Sequence, residues 1–69
     1  MLRTQVSNML NMDDAALKRY IQKECKHKDE ILLCIRSLRN EALENKDEHK
    51  FNQLCWLYNV VKGIEVLCP

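Results

Sequence analysis

The sequence predicts an all-α chain, a small antiparallel bundle of three helices with an optional short extra helix at the N-terminus. Three observations carry that expectation. The 69 residues include one glycine and one proline, Gly63 and Pro69, too few to punctuate the turns of a β-sheet. Apolar side chains recur at three- and four-residue spacing along most of the chain. Acids and short polar residues gather between those stripes, where the positive end of a helix dipole favours them.

Val6, Met9 and Leu10 form a short apolar group, enough for a turn or two of helix. Asn11 then reads as an N-cap, with Asp13 and Asp14 in the first turn of a helix carried by Leu17, Tyr20 and Ile21 to about residue 26. Lys26-His27-Lys28 supplies cations for its C-terminus, and Asp29-Glu30 opens the next helix, over about 29–44, on the stripe Ile31, Ile35, Leu38 and Ala42. Asn45 followed by Glu48 has the spacing of a capping box, which predicts a tight turn and a third helix over about 47–67. Short connections make consecutive helices antiparallel neighbours. One long helix through 29–67 is the rival, disfavoured by the acid and amide cluster at 44–48.

The third helix carries apolar residues on two faces. Phe51, Leu54, Cys55, Tyr58 and Val61 trace one, and Trp56, Leu57, Val60, Ile64, Leu67 and Cys68 occupy much of the remainder. Two neighbouring helices cover one broad face only, so the rest predicts self-association through this helix, with Trp56, Leu57, Val60, Ile64 and Leu67 at the interface. A second stripe, Leu32-Arg36-Arg39-Leu43, mixes apolar ends with guanidinium centres, a composition enriched at protein interfaces. It equally describes a boundary face whose arginine stems lie over the edge of the core.

Net charge is only +1, so no global electrostatic attraction to nucleic acid or membrane follows. The distribution is uneven: residues 1–28 hold six basic and three acidic side chains, residues 29–69 five and seven. With Leu17, Tyr20 and Ile21 facing inward, Lys18, Arg19, Gln22, Lys23 and Lys26 form an outward face without an acid. That face is suited to phosphates, with Gln22 as a base-edge donor, or is an ordinary solvated face paired with Glu41, Glu44, Asp47 and Glu48 of a neighbouring helix or subunit.

Residues 1–11 lack the continuous apolar core of a secretory signal, and no window approaches a membrane span, so the expectation is a cytoplasmic, reducing setting. Cys25, Cys34, Cys55 and Cys68 then read as free thiols, with two disulfides as the alternative. Cys25 and His27 with His49 and Cys55 include zinc-ligand types, but only the first pair has metal-site spacing. Nothing here has the pattern of a catalytic site: no serine has a histidine at motif spacing, and no glycine-rich phosphate loop exists. A core of this size also leaves little room for a deep cleft. The expectation is therefore a regulatory or adaptor protein, without catalytic residues or cofactor, that binds a second copy of itself or another protein. Nucleic-acid binding through 18–28 is the alternative, and a metal-stabilised helical domain is the third reading.

Overall fold

The computed structural model describes residues 2–68. Helix α1 spans Leu2–Met9, α2 Asp14–Lys23, α3 Lys28–Glu44 and α4 Glu48–Gly63, with a single 3-10 turn at Cys25–His27 between α2 and α3. Among the described residues there is no strand. The optional short N-terminal helix is thus present, and the described residues form four α-helices. An antiparallel α3–α4 hairpin forms its body; α1 lies against α3 and α2 against α4, in a molecule measuring 40 × 20 × 20 Å.

The helix ends differ from the expected ones for local reasons. Asp13, not Asn11, caps α2: its backbone is extended and its Oδ1 accepts from the Ala16 N–H at 2.8 Å. Residues 11 and 12 are still completing α1, with their N–H groups donating to the Asn8 and Met9 carbonyls. Helix α2 stops at Lys23 rather than near 26, because Glu24 leaves helical geometry and the His27 N–H donates to the Glu24 carbonyl in a tighter turn. That turn runs directly into α3.

The α3–α4 junction rules out one continuous helix. Lys46 has φ 56°, the left-handed region that glycine usually fills. The Asp47 N–H donates to the Ala42 carbonyl and the Lys46 N–H to the Leu43 carbonyl, the paired bonds of a Schellman motif. Asp47 then caps the next helix, its Oδ1 accepting from the Lys50 N–H at 3.2 Å, so the expected Asn45–Glu48 capping box is displaced by two residues. One aspartate closes one helix and opens the other.

The largest departure is at the C-terminus. Helix α4 ends at Gly63 instead of near 67, and Ile64 turns to extended backbone at φ −77° and ψ 118°. Residues 64–68 continue as a strap in which Ile64 is buried and Val66 packs against the core, while Glu65 and Leu67 are exposed. A continued helix would keep Ile64 on the buried arc of Leu57 and Val61 but turn Val66 to the opposite side; the extended segment brings both inward. The core they close comprises Val6 and Met9 from α1, Leu17 and Ile21 from α2, Ile31, Ile35 and Ala42 from α3, and Leu54, Leu57 and Val61 from α4. No polar or charged residue is buried among the described residues.

Candidate functional site

Two surfaces carry most of the residues singled out by sequence, and they meet at the α2–α4 boundary. The first is an open groove of about 990 Å³. Lys18, Arg19, Gln22 and Lys23 form its α2 wall, with Asp14 at one end. Asn59, Val60 and Gly63 of α4 face them, and Ile64 and Glu65 extend that wall along the strap. The four basic-face residues of α2 are therefore brought together with Val60 and Ile64, which had been assigned to a separate interface. Lys26 is exposed but sits in the 3-10 turn and does not line the groove.

Among the described residues, Lys18, Arg19, Lys23 and Lys26 make no ion pair within 4 Å. Among the described residues of one chain, the expected pairing with Glu41, Glu44, Asp47 and Glu48 does not form. Glu41 pairs with Arg3 of α1, and Asp47 is committed to the α3–α4 turn. The groove lies beside the C-terminal end of α4, a helix about 24 Å long by its rise, whereas those acids cluster toward the opposite end. Gln22 has a different role from the base-edge donor suggested by its position. Its Nε2 donates to the Leu67 carbonyl at 2.7 Å and its Oε1 accepts from the Leu67 N–H at 3.2 Å. This amide holds the strap as a neighbouring strand would.

The second surface is the outer face of α4. Trp56 is 45% exposed and Val60 half-buried, with Asn52, Asn59 and Gly63 beside them along the helix. Residues 51–61 contain no charged side chain, in a chain that is 30% charged. Leu57 and Ile64, assigned to this interface from sequence, are instead core residues, and Leu67, 84% exposed, belongs to the strap. Leu54, Leu57, Val61 and Ile64 follow one another at three- and four-residue spacing on the buried arc. The apolar excess of the C-terminal segment is thus smaller than expected.

On α3, the Leu32-Arg36-Arg39-Leu43 stripe borders α4. The Arg39 guanidinium lies 5.2 Å from the centre of the Tyr58 ring, a cation–π contact that places its stem over the core edge. Leu43 is 61% exposed and Arg36 exposed, while Leu32 is half-buried. Leu33, 64% exposed, sits beside Leu32 and Arg36 on a shallow depression that reaches Tyr58. Sequence reading passed over Leu33 because an isolated leucine off the core stripe carries no signal.

The cysteines depart from the expected four free thiols at two positions. Cys25 and Cys68 form a disulfide across 43 positions, with Cα atoms 5.8 Å apart, while Cys34 and Cys55 are free and half-buried. Zinc ligation through Cys25, His27, His49 and Cys55 is not assembled. The Cys25 sulfur is bonded, His27 pairs with Glu30 at 3.6 Å, and α3 separates the first pair from the start of α4, where His49 lies, by about 25 Å of helix rise. Among the described residues, no three histidine, cysteine or acidic side chains gather as a metal-binding set.

Tyr20, on α2, is half-buried, and its hydroxyl has no hydrogen-bond partner among the described residues. Burial raises its pKa above the ordinary 10.0, and the Glu24 carboxylate one turn later raises it further. No helix among the described residues is long and apolar enough to cross a membrane. Comparison of the chain with protein-family models, curated proteins and solved structures matched none of them.

Proposed function

We propose that this chain is a non-enzymatic regulatory or adaptor protein that works through protein–protein contact, with the outer face of α4 as the contact and a second copy as the partner. The observation that carries the reading is the charge-free run 51–61, which presents a half-exposed tryptophan to solvent. Interface centres are depleted of charge and enriched in tryptophan, whereas solvated helix faces are laced with charge. Asn52, Trp56 and Asn59 recur at four- and three-residue spacing, and Glu48, Cys55 and Lys62 flank them at intervals of seven. In an antiparallel α4 pair like flanks meet, so Glu48 of one copy lies beside Lys62 of the other, twice. Such an arrangement is self-complementary, as a two-fold interface must be.

Light scattering at micromolar concentration tests this. The expected mass is near twice 8.2 kDa, and Trp56→Glu should return it to the monomer with helicity intact. Glu48→Lys and Lys62→Glu should each weaken the pair and together restore it. A monomer at all concentrations would sink the dimer.

A second reading is supported by the α2 cations Lys18, Arg19 and Lys23, which line a groove without an ion pair within 4 Å among the described residues. On that reading α2 contacts the phosphates of nucleic acid. Its affinity for duplex DNA or RNA should fall steeply with rising salt, and Lys18→Glu with Lys23→Glu should abolish it. No binding at low salt removes the reading.

A further inference from the structure

We propose that the Cys25–Cys68 disulfide is a redox latch: it holds the 64–68 strap across α2, and its oxidation state decides whether the groove keeps its second wall. Four contacts converge on this five-residue segment. Gln22 bonds both the N–H and the carbonyl of Leu67, the Lys28 ammonium donates to the Ile64 carbonyl, and Ile64 plugs the core. The fourth, Cys25–Cys68, is the only covalent one among them and sits at the strap's far end.

The hydrogen bonds from Gln22 are exposed, so water competes for both, and the Lys28 contact is only partly shielded. Residues 65, 67 and 68 bury little. Ile64 and Val66 anchor the near part of the strap in the core, but beyond Val66 no apolar burial offsets the ordering of the backbone, and the disulfide does so instead. The far end of the strap is held chiefly by this link.

Access to the latch is asymmetric. Cys68 is exposed and Cys25 half-buried. A thiolate of an external dithiol attacks the Cys68 sulfur, forming a mixed disulfide and expelling the Cys25 thiolate, which takes up a proton. The second thiol of the reductant then displaces the Cys68 thiolate, which is protonated in turn. Two electrons pass from the dithiol, which leaves as a cyclic disulfide, to the protein, which gains two thiols.

Release has two consequences at the groove. Glu65 departs from opposite Lys18, Arg19 and Lys23, so that wall becomes more positive. Ile64 is no longer pinned from beyond, and the apolar site it fills between α2 and α4 becomes accessible. The oxidised chain presents a groove walled on both sides, and the reduced chain one that has lost its strap wall and is more positive and more apolar.

Amide hydrogen exchange on the full chain, before and after dithiothreitol, tests the latch. The Leu67 and Ile64 amides should exchange about tenfold faster or more once reduced, while far-UV circular dichroism stays unchanged. Cys68→Ser should exchange like the reduced chain without reductant and show no response to it. Thiol titration of the denatured, unreduced chain should count two thiols, Cys34 and Cys55. Four thiols would overturn the proposal, as would equal protection of Leu67 in the oxidised and reduced chains. Loss of helicity in both the reduced chain and Cys68→Ser would overturn it too, because the bond would then be a staple for the whole fold.

Discussion

The turn after α3 and the strap after α4 both end a helix, and they do so by opposite means. At the turn, every bond comes from within six residues: Asp47 to Ala42, Lys46 to Leu43, Lys50 to Asp47. At the strap, the partners of Ile64, Leu67 and Cys68 are Lys28, Gln22 and Cys25, between 36 and 45 positions away. A local cap forms as soon as its helices do. The strap requires α2 to be docked first, since its partners acquire their places only in the assembled fold.

The widest test of this contrast removes what the two ends share. Leu57 lies in the core between them, and Leu57→Ala should cost about 2–5 kcal/mol, as core leucine truncations do. In a chain this small that is comparable to the whole stability, of about 3–5 kcal/mol for a single core. Urea titration followed by far-UV circular dichroism should show the variant largely unfolded. A variant as stable as the parent would mean that Leu57 is not a core residue.

A smaller change separates the turn from the strap. Lys46 holds a left-handed conformation that costs a non-glycine residue about 1–2 kcal/mol. Lys46→Gly removes that strain but gives back some unfolded-state entropy, leaving a net gain of about 1 kcal/mol. The denaturation midpoint should rise, with exchange at Leu67 moved no more than at other amides that open only on global unfolding.

The smallest effect is at Tyr20. Below pH 9 the change Tyr20→Phe should be nearly neutral, since it deletes a hydroxyl without a protein partner. Above the ordinary tyrosine value the parent should lose stability. Its unfolded state releases the phenolic proton first, because burial and Glu24 hold that proton more tightly in the fold. The Phe variant should lack this component of the alkaline decline, measured by urea midpoints between pH 8 and 11.

The same contrast explains what the sequence made legible. The helical character of the chain, the break near 45–47 and the inward faces of α2 and α3 follow from short-range spacing. They were readable because Leu17, Ile21, Ile31, Ile35 and Ala42 announce their faces by periodicity. The caps lie two residues beyond the expected Asn11 and Asn45, which offer the same capping chemistry as Asp13 and Asp47. The choice depends on where the preceding helix finishes.

The strap does have a local signature. Gly63 is a stop signal, and Ile64-Glu65-Val66-Leu67 alternates inward and outward with strand period through Val66. The exposed apolar surface expected of α4 is too large because Leu57 and Ile64 share the buried stripe of Leu54 and Val61 rather than the side of Trp56 and Val60. The partners of Gln22 and Cys25 had no such signature, because separation along the chain does not encode which thiol or amide will be adjacent in space. Of the interface residues expected from α4, Trp56 and Val60 remain on or near the surface, while Leu57 and Ile64 were drawn inside.

Joining Cys25 to Cys68 also changes how the molecule would bear tension. A pull applied near its two ends travels along α1 and α2 to Cys25 and then crosses directly to Cys68, leaving α3 and α4 in a closed loop that carries no load. Stretching can draw out only the first two helices. Cutting the bond adds the whole loop to the extensible chain, a gain of about 150 Å at roughly 3.5 Å per residue. The covalent link therefore divides a chain of four helices into two mechanical compartments, one that yields to force and one that is shielded from it.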